Sequence, residues 1–537
     1  MPGMGEASKT VDAVVVGAGF GGMYMAHLLR NMNLHVLGFE RGGGVGGTWF
    51  WNRYPGCRCD VESMEYSYQF SEDLQQTWQW SERYSSQSEI LAYANHVAQR
   101  FDLESIFHFN CMVVAASFDD KNSLWTIRTD SAEVVDCRYL IMATGCLSAA
   151  NMPSFEGMES FAGETYHTGS WPPEGVDFNG KRVAVIGTGS SAIQSIPFIA
   201  QQAKSLTVFQ RTPNYSVPAQ NKPIDQDLVA AIKADYAGFR QRNKLQPAAF
   251  GADYSRHSDS VLDATPEQRE QRFEAYWSDG GFAFLAAFGD ITSSEEANYH
   301  AAEFVRNKIR GIVDDPQTAE LLCPDTILGC KRLVADSGYF ETYNRENVLL
   351  VDVSEHEIEK LSAQGIVVNG QEYAFDAIVF ATGFDAMTGA LLKVDLRGIA
   401  GVSLRDKWSA GPRTYLGLMT ADFPNLFMMT GPGSPSVLAN MVTGVEQHAE
   451  YISEMIRWAQ NNDKTQIVPH QAAEDEWVEL VNMRSEQTLF PRCNSWYLGA
   501  NVPGKPRVFM PYVGFPDYVQ RLEEIRDARY QGFSFQA

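Results

Sequence analysis

Two glycine-rich turns carry the clearest chemical signal in this chain. Gly17, Gly19 and Gly22 follow the apolar run 11–16, and Gly187, Gly189 and Ala192 follow Val183–Ile186. A turn of this kind brings the first backbone N–H groups of a helix against a pyrophosphate, where a larger side chain would stand in the way. The residues that close the two units differ. Glu40 lies 23 residues after Gly17, where a carboxylate accepts hydrogen bonds from ribose hydroxyls. At the matching place after Gly187 the chain has Gln210-Arg211-Thr212, and a guanidinium there suits a ribose 2′-phosphate. The two units therefore predict two dinucleotide sites, the second preferring NADP over NAD, and two cofactors exchanging electrons.

Further candidates are single residues. The loop 41–49, with five glycines before Thr48 and Trp49, lets backbone approach a ring system or a pyrophosphate, and Trp49 and Trp51 offer faces to pack on it. A plain surface loop is the alternative, made less attractive by the unit that precedes it. Cys57 and Cys59 form a C-x-C pair with too few neighbouring ligands for zinc, so they read as buried thiols and no metal site is expected. No closely spaced redox pair exists among the eight cysteines, which argues against a disulfide reductase, and reduced thiols in a cytosolic setting are expected. Taken alone, Arg332 reads as a surface cation beside Lys331, and His167 as a hydrogen-bonded structural histidine.

These residues need elements to hold them. The pattern predicts a strand at 11–16, a helix at 23–30 and a strand at 34–39, then a second strand, helix and strand at 183–186, 192–203 and 206–209. About ten small polar residues before the first strand are expected to fray. Two further apolar strands, Leu140–Met142 and Ile378–Phe380, each run into Ala-Thr-Gly and are expected to close the two dinucleotide domains. Residues 217–333 carry helical, charged sequence without a glycine loop and read as a cap or scaffold. The fold class is α/β, with two Rossmann-like dinucleotide-binding domains and a mainly helical insert. The first domain takes 1–150 and 385–537, and the second takes 151–216 and 334–384.

Composition narrows the partners. With 43 basic against 66 acidic side chains the formal net charge is −23, which repels phosphate backbones and anionic lipid. Nucleic acid and membrane are not expected partners. The apolar stretch 13–29 is broken by glycines and His27, so it predicts no membrane span.

Between the two glycine units stands Phe161, Gly163, His167 and Trp171-Pro172 in the order F-x-G-x-x-x-H-x-x-x-W-P. This pattern resembles the fingerprint of the Baeyer–Villiger monooxygenases, the class B flavoprotein monooxygenases. The runs YPGCRCDVES, GTGSSAIQ, QRTPNYSVPA, CKRL, ATGFDAMTGAL, GPGSPSVLANM and SWYLGANVPGKPRVF carry the resemblance over nearly the whole chain. It implies FAD in the first domain and NADPH (NADP+) in the second, with a small ketone and O2 as the other reactants. Gly17, Gly19 and Gly22 would hold the FAD pyrophosphate and Glu40 its ribose. Gly47, Thr48, Trp49, Trp51, Asp60, Tyr66, Val113 and Met441 would surround the flavin. Gly187, Thr188, Gly189, Ser190, Ser191 and Gln194 would line the NADP pyrophosphate, Arg211, Thr212 and Lys331 would bind the 2′-phosphate, and Trp496 would hold the nicotinamide half. The resemblance makes Arg332 the active-site arginine, stabilising a flavin C4a-peroxide and the tetrahedral peroxy adduct, with Asp60 as its carboxylate partner. Ser436, Val437 and Leu438 would border the substrate, sulfides are implied as further substrates, and His167 would couple domain movement. A cytoplasmic monomer or weak oligomer is expected. Of the rivals, an N- or S-hydroxylating flavin monooxygenase would not end its fingerprint in Trp171-Pro172. A non-catalytic nicotinamide sensor would not need Asp60, Lys331 and Arg332.

Overall fold

The computed structural model describes residues 9–536. The fraying expected of the N-terminus concerns mostly residues outside that range, and Lys9 and Thr10 already belong to the strand Lys9–Val16. Their backbone is registered on the strand Val134–Met142, so pairing overrides their polar side chains.

Two sheets organise the chain. In the first, Lys9–Val16 lies between Val134–Met142 and Val36–Phe39, parallel to both. Leu426–Met428 joins from the C-terminal part of the chain, parallel to the end of Val134–Met142. The second sheet is wholly parallel in the order Val348–Asp352, Ser205–Gln210, Arg182–Ile186, Ala377–Phe380, Glu164–His167. Parallel neighbours require crossovers, and the helices Phe20–Asn31 and Ser190–Gln202 provide the first in each sheet. Both apolar strands before Ala-Thr-Gly sit directly beside a glycine strand.

Both crossover helices begin earlier than the apolar periodicity suggests, at Phe20 and Ser190 rather than near 23 and 192. Gly21 and Gly22 are helical residues that permit close approach. A Cβ on Gly22 would lie 1.8 Å from the Gly17 carbonyl oxygen. Beyond the turn, Met23, Met25 and Leu29 are fully buried, each contributing roughly 1.5–3 kcal/mol of transfer free energy.

Residues 217–333 are mainly helical, including Gln226–Ala234, Tyr236–Lys244, Pro266–Asp279 and Glu295–Ile312. This insert is tied to the first sheet's periphery by a buried cation. Arg240 donates to Gln75 Oε1 (2.9 Å), the Glu65 carbonyl (3.0 Å) and Ser67 Oγ (2.6 Å). Close by, Glu65 accepts from the Gly251 amide at 2.8 Å, and Glu446 accepts from Gln69 and Phe70 amides at 2.7 and 3.0 Å, each with one oxygen only. The second oxygen of each carboxyl meets no donor, and burial pushes both pKa values up to about 8. Both acids therefore hold their protons to higher pH than an exposed carboxyl does. Because the folded pKa lies above the ordinary 4.5, their contribution to stability is full below that value and is lost as pH rises through about 8. Thermal melts across this window should show a falling midpoint, and Glu65→Gln should flatten the fall.

Candidate active site

The first glycine turn is shaped by contact with its own sheet. Gly17 adopts φ +106°, and a Cβ there would sit 2.5 Å from the Ala143 carbonyl oxygen. Gly47, at φ +56°, faces Gly19 so closely that a Cβ would stand 2.9 Å from its Cα. Gly19 caps the helix without any side-chain hydrogen bond, which leaves the first-turn amides to a ligand. Glu40 is buried, and its carboxylate accepts from the Ala18 amide (2.8 Å) and the Gly42 amide (2.6 Å). The acid thus fixes the ends of both glycine loops. Thr48, Trp49 and Trp51 form the short helix that follows Gly47, and Trp49 Nε1 donates to Tyr66 at 3.2 Å. Val113 is buried at the start of its strand, and Met441 opens the helix Met441–Asn461.

The second turn is more open. Gly189 and Ser190 are exposed, and a Cβ on Gly189 would meet nothing within 4 Å. Gly187 repeats the first turn, with φ +109° and the Ala381 carbonyl oxygen 2.6 Å from an added Cβ. Two of the residues expected on the pyrophosphate are already engaged by protein. Thr188 Oγ1 donates to the Thr212 carbonyl at 2.8 Å. Gln194 accepts from Tyr54 OH (2.9 Å) and donates to the Arg58 carbonyl (3.0 Å), so it joins the two sheets' loops. Ser191 stands beside the buried Tyr54 hydroxyl.

Arg211 and Lys331, from different parts of the chain, are brought together. Burial lowers the Lys331 pKa, repulsion from Arg211 lowers it further, and Asp325 only partly opposes this. Neither cation has a hydrogen bond or ion pair with a described residue, so an anion between them would relieve the repulsion. That fits a 2′-phosphate. Arg211→Ala should raise the KM for NADPH by about 10- to 100-fold, the worth of a charge-assisted hydrogen bond. The KM for NADH should stay nearly unchanged, as steady-state assays with both nucleotides will show.

Arg332 is held on three sides. Its Nε donates to Asp60 Oδ2 at 2.6 Å and Nη2 to Asp60 Oδ1 at 2.9 Å, a two-pronged pair, while Nη1 donates to the Val437 carbonyl at 2.7 Å. The Phe282 ring lies against the guanidinium, 4.8 Å from its centroid. About a fifth of each charged side chain remains accessible, 23% and 22%. Burial alone would lower the Arg332 pKa, but Asp60 outweighs it and holds the value well above the ordinary one. Tyr497 faces the same guanidinium; burial and Asp60, opposed by Arg332, push its pKa up to about 12, so its hydroxyl keeps its proton. Burial, with Asp60 adding to it, also keeps Cys59 a thiol rather than a nucleophile.

Around this pair lies an apolar wall that includes Met387, Val437, Leu438, Phe490 and Met441. Trp496 and Tyr497 share one turn over it, with ring centroids 4.2 Å apart. Ser436 sits at φ +43° and donates to the Met387 sulfur at 3.6 Å.

The fingerprint residues bridge rather than touch this centre. Phe161 and Gly163 are half-buried, and a Cβ on Gly163 would lie 2.5 Å from both the Asp376 carbonyl oxygen and the Phe161 ring. His167 ends the strand beside Ala377–Phe380, and its Nδ1 accepts from the Gly169 amide at 2.9 Å. Its other nitrogen therefore carries the proton, and burial lowers its pKa, so the ring is neutral. Trp171 is buried, and its amide donates to the Trp51 carbonyl at 3.2 Å, linking the fingerprint to the end of the first glycine-rich loop. His167→Gln should change rates without reshaping their pH profile; loss of an acidic limb in that variant would make His167 a titrating base.

Sequence reasoning did not find Phe282, the Val437 carbonyl or the Tyr54–Gln194–Arg58 tie. Tyr497 had a faint signal, since it follows Trp496. Phe282 shows that the insert, read as a cap or scaffold, also supplies a wall of the site. A second departure concerns the thiols. Six cysteines are free, but Cys330 and Cys493 are joined as a disulfide, contrary to the expectation of reduced thiols throughout. The fold brings these two residues together across a separation of 163 positions, which spacing alone does not reveal.

Known proteins resemble this chain over nearly its whole length. A sequence family described as pyridine nucleotide-disulphide oxidoreductase matches residues 14–246. A Baeyer-Villiger monooxygenase of Pseudooceanicola batsensis is 43% identical over 98% of this chain and 97% of its own. Phenazine N-monooxygenase PhzNO1 of Lysobacter antibioticus is 39% identical over 97% of this chain and 96% of its own. The solved structure of an oxidized steroid monooxygenase bound to NADP superposes with a TM-score of 0.93 at 48% identity, covering 98% of this chain and 100% of that one. With two glycine turns at the ends of parallel strands and relatives aligned from end to end, the chain belongs to the Baeyer–Villiger monooxygenases, oxidoreductases that use FAD and NADPH.

Proposed function

We propose that this enzyme inserts one atom of O2 beside the carbonyl of an apolar ketone, giving an ester or lactone, and that it also oxidises sulfides. The observation that carries the reading is the Arg332–Asp60 pair, fixed by three hydrogen bonds beside an apolar wall. Bound FAD, reduced by NADPH, supplies the activation of oxygen.

The chain's own residues do the rest by position and charge. Arg332 has five N–H groups and commits three to Asp60 and Val437, leaving two, beside the Tyr497 hydroxyl, that can face an oxygen that becomes negative during the reaction. Because its pKa is held high, the cation persists across the working pH range. Asp60 orients the guanidinium and offsets its charge, so that burial of the site does not leave a lone cation. Trp496 covers the nicotinamide half, Arg211 and Lys331 bind the 2′-phosphate, and Val437 and Leu438 exclude water from the ketone. We place the domain boundaries at 150, 216, 333 and 384, with the enzyme acting in the cytoplasm as a monomer or weak oligomer. Among the described residues, no helix is long and apolar enough to cross a membrane.

The purified enzyme with NADPH, air and phenylacetone should yield benzyl acetate, water and NADP+. A panel that gives sulfoxides or N-oxides but no ester from any ketone would replace the reading with heteroatom oxidation.

A further inference from the structure

Cys330 immediately precedes Lys331 and Arg332, and Cys493 stands three residues before Trp496. The bond between them therefore joins the arginine of the site to the segment that carries its tryptophan cover. Both cysteines are buried, and their Cα atoms are 5.6 Å apart, within the span a disulfide bridges without backbone movement.

The other attachments of this segment are non-covalent. On one side the Leu489 amide donates to the Thr292 carbonyl at 3.0 Å and Arg492 pairs with Glu295 of the insert. On the other, Asn501 Nδ2 donates to the Phe384 carbonyl at 2.7 Å, and Lys505 Nζ donates to Asp385 Oδ1 (2.5 Å) and the Ala386 carbonyl (2.6 Å). Segment 489–505 is thus a strap laid across the insert and the exit of the second sheet, anchored at both ends by polar contacts that water can replace. Its apolar underside, Phe490, Trp496, Tyr497 and Leu498, packs over Val437 and Met387. The disulfide is its one covalent fastening among the described residues, placed where it fixes Trp496 and Tyr497 relative to Arg332.

We propose that reversible oxidation of Cys330 and Cys493 locks this strap closed over the nicotinamide half of NADP, and that reduction frees it. A hydroperoxide is the oxidant. One thiolate attacks its O–O bond to give a sulfenic acid and an alcohol or water, and the other thiol then displaces water as the S–S bond forms. Two thiols are oxidised by two electrons, and the peroxide is reduced. A dithiol reverses the step by exchange, taking the two electrons' worth of oxidation onto itself. In a reducing compartment such a bond is a switch rather than a permanent staple.

The proposal rests on the reading that Trp496 covers bound nicotinamide, so its test measures NADP+ itself and not ester. FAD-loaded enzyme is prepared in two forms, treated with hydrogen peroxide or with dithiothreitol, and alkylation with peptide mapping reports the state of Cys330 and Cys493. Release of NADP+ is then followed by displacement after rapid mixing. The oxidised form should release NADP+ about five-fold or more slowly than the reduced form, within the usual range of coupling between two sites. Cys493→Ser and, separately, Cys330→Ser should release at the reduced rate under both treatments. Equal release from both forms of the wild-type enzyme, with NADP+ bound tightly, overturns the lock. A treatment effect that survives in both serine variants overturns it as well. Failure of either form to bind NADP+ at all would overturn the functional reading, and the lock with it.

Discussion

Arg332→Ala is expected to remain yellow, oxidise NADPH and form ester at least about 10²–10³-fold more slowly than the wild type, the loss typical of removing a preorganised donor from a developing oxyanion. Arg332 touches neither glycine turn, so FAD and NADP+ binding should survive in large part. The variant leaves Asp60 as a part-buried carboxylate without its cation, which adds a folding penalty that a thermal melt will register. Arg332→Lys should rescue poorly. A lysine ammonium keeps the charge but cannot make the two-pronged contact to Asp60 and reach the Val437 carbonyl together. The measurement is the ester yield per NADPH consumed, beside hydrogen peroxide release. Wild-type ester yield from Arg332→Ala would remove the guanidinium from the chemistry.

Gly22→Ala is expected to lose FAD. The added methyl would stand 1.8 Å from the Gly17 carbonyl oxygen and 2.9 Å from its carbon, both backbone atoms that cannot rotate away. The helix Phe20–Asn31 must shift off its turn, and overpacking of this sort costs about 1–3 kcal/mol or more. The protein should purify colourless or with a small fraction of flavin, read from the ratio of visible to ultraviolet absorbance. Gly189→Ala is the control with the opposite geometry. Its methyl meets no protein atom within 4 Å, so the fold and the flavin should be kept while NADP+ binding weakens. Full flavin content in Gly22→Ala would contradict the cradle assigned to the first turn.

Much of the fold was readable because its signals are local. A strand, a glycine turn, a helix and an acid within one short stretch constrain one another, as at Gly17 to Glu40, and the same grammar returns at Gly187 to Arg211. The first helix starts before its expected place because glycine is ordinarily a helix breaker, and only the packed backbone shows that Gly21 and Gly22 are there for closeness; the second does so because Ser190 and Ser191 carry no apolar periodicity. The family was legible in the FxGxxxHxxxWP run between the units, and the approach of Arg211 to Lys331 was not, since Lys331 comes from far along the chain. Non-local contacts were not legible. Nothing in the neighbourhood of Phe282 says that its ring will lie on Arg332, and nothing around Arg240 says that an arginine will be buried, since both facts arise from how the insert closes on residues far away in sequence. The Cys330–Cys493 bond was hidden for the same reason.

The most direct test of the central claim uses isotope-labelled dioxygen with phenylacetone and NADPH. The account predicts benzyl acetate with a single labelled atom, placed in the ester bridge, and close to one NADPH consumed for each ester formed. An ester whose bridge oxygen is unlabelled, or NADPH consumption that delivers all its oxygen to hydrogen peroxide with every ketone tried, would contradict it.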